Sequence, residues 1–120
     1  MLINLINEAP RTEPLLRIYD TYMTFNAQAA HLLGLTDGDK VYIGRDERQG
    51  NNLYVGKARL KMSNVVIRRG KTFLLHNSEL TRKVASWLEG TGTYRICPED
   101  KMDDSFGNNY YNIFKKTYGN

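Results

Sequence analysis

The sequence predicts a small α+β domain, built as a β-barrel-like sheet with two short helices. Short segments rich in β-branched and aromatic residues recur along the 120-residue chain, whose length suits one domain. Two other segments have helical character directly after an asparagine, and each leads through a Gly-containing turn into another β-rich segment. A barrel leaves no open sheet edge, so it suits this many short strands. We expect an N-terminal arm over residues 1–14 and a single compact domain over residues 15–120.

The first predicted helix has clear start and stop signals. Residues 15–24 are rich in β-forming side chains and predict one strand before it. The side chain of Asn26 can accept a backbone N–H of a first helical turn, so we expect a helix over residues 27–33. Gly34 ends this helix, because glycine readily adopts the left-handed conformation that closes many helices.

Short strands joined by turns are predicted in the middle of the chain. Residues 40–45 and 53–60 predict a hairpin around a turn rich in Gly and Asn. Residues 65–67 and 72–75 predict two more strands, joined by a turn at residues 69–71.

A second helix is predicted from Asn77 or Ser78, either of which can serve as its cap, to about Glu89. Its apolar residues fall on one stripe of a 3.6-residue period: Leu80, Val84, Trp87 and Leu88. The stripe predicts that this helix packs against the sheet.

The C-terminal part predicts two strands separated by a loop. Residues 93–97 form the first, and Pro98 ends it because proline lacks a backbone donor. Residues 99–109 are acidic and then rich in Gly and Asn, which is typical of a loop. Residues 110–118 predict the last strand, with Tyr111 and Ile113 on one side.

The two helical segments have the same surroundings, which predicts an internal repeat. Each unit has a strand, an asparagine cap, a helix, a glycine turn and a strand. We expect half-repeats of ββαβ type at about residues 15–60 and 61–97, closing around one core. The alternative is a chance match, because this order of elements is common.

The stretch from residue 23 to about residue 43 carries a family resemblance. Its Leu33-Gly34-Leu35 and Gly38-Asp39-Lys40-Val41 resemble the swapped-hairpin half-motif of AbrB/SpoVT-type transition-state regulators. The family's usual proline before the helix is absent, and Phe25-Asn26 stands in its place.

The resemblance implies a swapped-hairpin or double-psi-like barrel, because double-psi barrels share this half-motif. Family members dimerise by interleaving two hairpins and bind DNA, whereas this chain would carry both halves in one polypeptide. Arg17 is the one basic residue that precedes the helix on the first strand, and no DNA-contacting residue of the family is assigned here.

The positive charge of the chain is concentrated in its middle. The net charge is +4, but residues 57–83 carry eight basic side chains and one acidic one, a net charge of +7. Such a segment favours a polyanion, and the alternative is a solvated hairpin face that protects an edge strand. The candidate phosphate contacts are Arg59, Lys61, Arg68, Arg69 and Lys71.

Catalytic and metal chemistry has little support in the sequence. His31, His76 and Cys97 are far apart in sequence, so we expect no metal site and no Cys–His pair. No phosphate-binding loop, dinucleotide fingerprint or serine elbow occurs, and we expect no cofactor.

We therefore expect a non-enzymatic binding module, DNA-binding and regulatory through the basic segment. The main alternative is a protein-interaction or structural subunit of a larger assembly, forming homo-oligomers through its apolar arm and aromatic C-terminal strand. An enzyme on a double-psi-like barrel is the third hypothesis. A single Cys, no secretory signal pattern and no long apolar stretch indicate a cytoplasmic protein without a membrane partner.

Overall fold

The structure, a computed structural model, describes residues 13–46, 48, 52–57, 64–103 and 109–117. Most of the arm expected at residues 1–14 therefore lies outside the described residues. The described part forms these strands and helices: β1 (Leu15–Ile18), β2 (Met23–Phe25), α1 (Ala27–Leu33), β3 (Lys40–Asp46), β4 (Asn52–Lys57), β5 (Asn64–Val65), β6 (Ile67–Arg69), β7 (Thr72–Leu75), α2 (Ser78–Trp87), β8 (Gly92–Asp103) and β9 (Asn109–Ile113).

The strands form one antiparallel sheet that nearly closes on itself. Their order is β5-β3-β4-β9-β8-β1-β2-β7-β6. The two end strands, β5 and β6, are separated in the chain only by Val66. Val66 is buried, its N–H donates to Asp39 O at 2.9 Å, and its carbonyl accepts from Gly38 N at 2.9 Å. The predicted α+β, barrel-like fold with two short helices is confirmed.

The core is built from rows of side chains that cross the sheet on its inner side. In one row, Tyr94 lies opposite Leu16, Leu16 opposite Phe25, and Phe25 opposite Phe73. All four are buried. Complete burial of side chains of this size stabilises the fold by about 1.5–3 kcal/mol each. Further core residues on β3, β4, β8 and β9 include Val41, Leu53, Val55, Ile96 and Ile113.

Helix α1 begins and ends where the sequence predicts. The side-chain oxygen of its cap, Asn26, accepts from Ala29 N at 2.8 Å and from Leu15 N at 3.0 Å. The side-chain nitrogen of Asn26 donates to Glu13 O at 2.9 Å. Gly34 ends the helix in the left-handed conformation, with φ of 71°. One side chain thus joins the helix start to the chain entering β1.

Helix α2 is capped by Asn77, the first of the two candidates, and ends at Trp87, slightly before the predicted Glu89. Asn77 accepts from Leu80 N at 3.0 Å and donates to the Asn64 side chain at 2.8 Å. The predicted stripe packs against the core: Leu80, Val84, Trp87 and Leu88. Neither helix of the described part is long and apolar enough to cross a membrane.

The single strand expected at residues 15–24 is wrong, because two strands occupy this segment. A turn separates β1 from β2, and Tyr19 N donates across it to Tyr22 O at 2.9 Å. The turn contains Asp20 and Thr21, whose signal is weak among so many β-formers. The strand expected at residues 65–67 is likewise divided at Val66, where pairing changes from β3 to β7.

The loop expected after Pro98 is also wrong at its start, because β8 continues to Asp103. The register between β8 and β9 shifts between Cys97 and Lys101. A proline is tolerated at such an irregularity, since no ladder hydrogen bond needs its missing N–H. The last strand is shorter than residues 110–118 and ends at Ile113, and the side that carries Tyr111 and Ile113 is the buried one.

Candidate functional site

One outer surface of the barrel carries basic side chains. The strands that form this surface contain no acidic residue. This surface, the positive face, is formed by β1, β2, β6 and β7 and the turn between the last two. One row of opposed residues crosses it: Arg17, Thr24, Leu74 and Ile67. Arg69 lies two residues from Ile67 and therefore on the same side of the sheet. Arg17 and Arg69 are both exposed.

The sequence-predicted phosphate contacts are only partly brought together. Arg69 and Lys71 are exposed on the β6–β7 hairpin. Arg68 is also exposed but lies opposite the buried Phe73, so its side chain leaves the strand on the other side. Arg59 and Lys61 lie outside the described residues.

Arg68 is held by its own hairpin and by a neighbouring turn. Its Nε donates to Gly70 O at 2.9 Å, and its backbone N–H donates to the Asp37 carboxylate at 2.8 Å. Asp37 is thus an acidic group at this edge of the positive face. The contact of this carboxylate is with the backbone N–H of Arg68 and not with a basic side chain.

Arg17 joins the site through a stack of rings that the sequence analysis did not identify. Its guanidinium carbon lies 5.2 Å from the centre of the Tyr19 ring. Tyr19 stacks on Tyr22, with ring centres 4.5 Å apart, and His76 meets Tyr22 edge-on at 6.3 Å. A guanidinium stacked by its face can still use its N–H edge to hold a phosphate. The sequence contained one signal for this role of Arg17. Arg17 alternates with the apolar Leu16 and Ile18, and such a residue is expected on the outer side of its strand.

Two open clefts flank the turn between β1 and β2. A cleft of about 570 Å³ lies between Arg17 and Thr91, and a second of about 560 Å³ has Arg82 of α2 on its wall. Asp20 borders both clefts and is the acidic group that faces them. The clefts extend the basic surface from β1 towards α2.

A second concave site, the tyrosine pocket, lies on the outer side of β3, β4, β8 and β9. It is a cavity of about 260 Å³ with these lining residues: Tyr42, Gly44, Arg45, Asp46, Arg48, Tyr54, Met102 and Tyr110. The rings of Tyr42 and Tyr110 meet edge-on at 6.0 Å. A side-chain carbon at Gly44 would meet the Tyr42 ring at 2.7 Å, and one at Gly56 would meet Tyr110. The rings therefore lie in space that the two glycines leave.

Asp46 has an unusual environment in this pocket. Its side chain is only 11% exposed. One carboxylate oxygen, Oδ1, accepts from Arg48 N at 3.0 Å and lies 3.8 Å from Arg48 Nε. The other oxygen, Oδ2, is buried and has no hydrogen-bond partner among the described residues. A buried carboxylate oxygen without a partner is costly and points to a role for the group.

Tyr54 forms the inner wall of the tyrosine pocket and is buried. Burial raises the pKa of its phenol, and the charges of Asp100 and Asp46 raise it further, while a hydrogen bond with Asn52 acts in the opposite direction. The phenol therefore stays neutral and can donate a hydrogen bond.

Cys97 is buried, and its surroundings disfavour the thiolate. Burial raises the pKa of its thiol and the charge of Glu99 adds to this, although Arg95 opposes it. Arg95 itself pairs with Glu99 through two contacts of 2.7 and 3.2 Å. The described residues contain no group of three or more His, Cys, Asp or Glu side chains arranged to hold a metal ion.

No known protein family, curated protein or solved structure matches the chain.

Proposed function

We propose that this protein is a non-enzymatic nucleic-acid-binding module, with duplex DNA as its ligand, that holds phosphates on the positive face. The observation that carries the proposal is the placement of exposed Arg17 and Arg69 on one side of strands without acidic residues. Lys71 and Arg82 extend the same charge at its two ends. Phosphate contacts of this kind give affinity and position without reading sequence.

The stack under Arg17 supports the proposal. Contact with Tyr19 restricts the guanidinium, so less side-chain entropy is lost when it meets a phosphate. A regulatory role follows from the resemblance of the segment around α1 to AbrB/SpoVT-type regulators, and a cytoplasmic location is part of the same proposal.

The experiment is a binding titration of a labelled DNA duplex between about 50 and 200 mM salt, followed by fluorescence anisotropy. Arg17→Gln and Arg69→Gln should each reduce the slope of log affinity against log salt by about 1. Lys101→Gln is the matched control, because it removes one exposed charge from β8 instead. Absence of binding at the lowest salt, or an equal effect of all three variants, would overturn the proposal.

The finer architecture is also proposed: two related half-units that share the barrel. Each unit would contain a hairpin, an asparagine-capped helix and a second hairpin. The pairing of β2 with β7 and of β4 with β9 supports this, since each pair joins corresponding strands of the two units. The second unit would then include β9, beyond the boundary at residue 97 expected from the sequence.

A protein-interaction subunit is the second candidate, favoured by exposed apolar side chains where the barrel closes. Val65 is 48% exposed and Ile67 is 44% exposed, on either side of the buried Val66. Pairing through the C-terminal strand is not what supports this candidate, because β9 already lies between β4 and β8. Light scattering of the purified protein, compared with Ile67→Ser, would show whether copies associate through this seam.

A further inference from the structure

We propose that the tyrosine pocket binds an alkylammonium group, a primary or methylated amine, with Asp46 as its counter-ion. This site lies outside the positive face and does not depend on nucleic-acid binding. The pocket combines a largely buried carboxylate, three tyrosines and an opening to solvent.

Asp46 supplies the reason for a positively charged ligand. Its Oδ2 atom is buried and has no partner in the described part of the chain. The nearby cation, Arg48, contacts Oδ1 and keeps its side chain 91% exposed, so it does not fill the pocket. Asp46 is a lining residue of the pocket, so an ammonium group held there would lie beside a carboxylate of opposite charge, and this attraction is strengthened in partly desolvated surroundings.

The tyrosines supply the second reason. The faces of aromatic rings carry partial negative charge and attract ammonium groups, including methylated ones that cannot donate many hydrogen bonds. Tyr42 and Tyr110 form a corner at 6.0 Å, and Tyr54 closes the inner side. Tyr54 remains neutral, since burial raises the pKa of its phenol.

The cavity is small, and its carboxylate and rings favour a cation over a phosphate-bearing ligand. At about 260 Å³ the cavity is smaller than the roughly 300–1,000 Å³ of pockets for drug-sized molecules, so it suits one ammonium head. An anion would face the Asp46 carboxylate and the negative ring faces. Arg45, the other basic lining residue, has its guanidinium 4.7 Å from the Trp87 ring centre and is engaged there.

The ammonium group could belong to a free small amine or to a lysine side chain of a partner protein. The chemistry of recognition is the same for both sources. The probes are n-butylammonium chloride, tetramethylammonium chloride and a short peptide with one trimethylated lysine, each titrated into ¹⁵N-labelled protein. The uncharged control is n-butanol, which has the same chain length.

We expect both ammonium salts to shift the amide signals of Gly44, Arg45 and Asp46, with n-butanol much weaker. Asp46→Asn keeps an acceptor for Arg48 N–H but removes the charge, and should weaken binding about tenfold or more. Tyr42→Leu alters a ring that is 41% exposed and should weaken binding with the fold kept. Asp103→Asn, an exposed carboxylate of β8, is the control.

Tighter binding of the peptide would assign the site to a partner protein, and tighter binding of the free salts to a small amine. Equal binding of butanol and butylammonium, or unchanged affinity in Asp46→Asn, would overturn the inference. The DNA affinity of the Asp46→Asn variant distinguishes failure of this inference from failure of the DNA-binding proposal. This variant should bind DNA as the unaltered protein does.

Discussion

On the positive face, long side chains stand away from the sheet into solvent, whereas in the tyrosine pocket rings lie against it. Arg17 lies between the buried Leu16 and Ile18, and Arg69 is the last residue of the exposed strand β6. Tyr42 and Tyr110 instead lie over positions where Gly44 and Gly56 have no side chain. The difference shows that glycines on neighbouring strands can make a concave site on the convex outside of a small barrel.

The two regions also differ in charge. The strands of the positive face have three arginines and no acidic residue, while the pocket has the largely buried Asp46 carboxylate in its lining, together with Arg45 and Arg48. The two proposals accordingly place a polyanion and a small cation on different sides of the barrel.

The largest effect is expected from Gly56→Ala. A methyl group there would collide with the backbone carbonyl of Asn109 as well as with the Tyr110 ring, and a backbone atom cannot move aside easily. We expect the free energy of unfolding to fall by about 2–3 kcal/mol, measured by urea denaturation.

Gly44→Ala is the matched substitution, because its methyl group would meet only the outer atoms of the Tyr42 ring among its three nearest neighbours. The ring can rotate away, so the cost should be at most about 1 kcal/mol. Equal destabilisation by the two alanines would contradict the assignment of the larger cost to the backbone carbonyl of Asn109.

An intermediate effect is expected from the helix caps. Asn26→Ala removes the cap of α1 and also the contacts with Leu15 N and Glu13 O, at the end of the positive face. We expect a loss of about 2 kcal/mol, against about 1 kcal/mol for Asn77→Ala. Thermal and urea unfolding of both variants would test the order, and a larger loss at Asn77 would contradict it.

The smallest effect is expected at the turn before β3. The Asp39 carboxylate accepts from Thr36 N at 2.7 Å and lies 3.3 Å from Lys57 Nζ. Burial opposes its ionisation, but the hydrogen bonds from Thr36 and Lys57 outweigh burial and lower its pKa from the ordinary 3.8. Its stabilisation is therefore complete above that value and is lost as the pH falls through the lower pKa of the folded state.

Asp39→Asn should accordingly cost about 0.5 kcal/mol at pH 7, because exposed ion pairs are screened by solvent. The difference from the unaltered protein should vanish in acid below the folded-state pKa. Urea midpoints measured at both pH values check this, and a difference that persists in acid would assign the effect to something other than ionisation. Asp103→Asn, on β8, is the control.

Local signals predicted the local elements well. Asn26, Asn77 and Gly34 marked helix ends because capping depends on a few neighbouring residues. Strand boundaries were harder to predict, since β8 passes Pro98 only because its partner strand shifts register there. That shift is a property of two segments together, which no single stretch of sequence contains.

The candidate sites were predictable to different degrees. The exposed positions of Arg69 and Lys71 follow from a basic hairpin. The joining of Arg17 with Arg69 needed the pairing of four strands, and the orphaned oxygen of Asp46 needed the packing around it. Long-range pairing and desolvation decide such features, and the order of residues shows neither directly.

The closure of the barrel also affects how the chain folds during synthesis. Strands β1 and β4 each pair with a strand adjacent in the chain, but Leu15 also pairs with Arg95, and Leu53 with Ile113, so each finds its second neighbour only near the end of the described chain. Contacts between such distant residues slow folding, because a long loop must be ordered before they form. On the ribosome, β1 and β4 would emerge with open edges and remain so until β8 and β9 are made, an interval in which a chaperone would be useful.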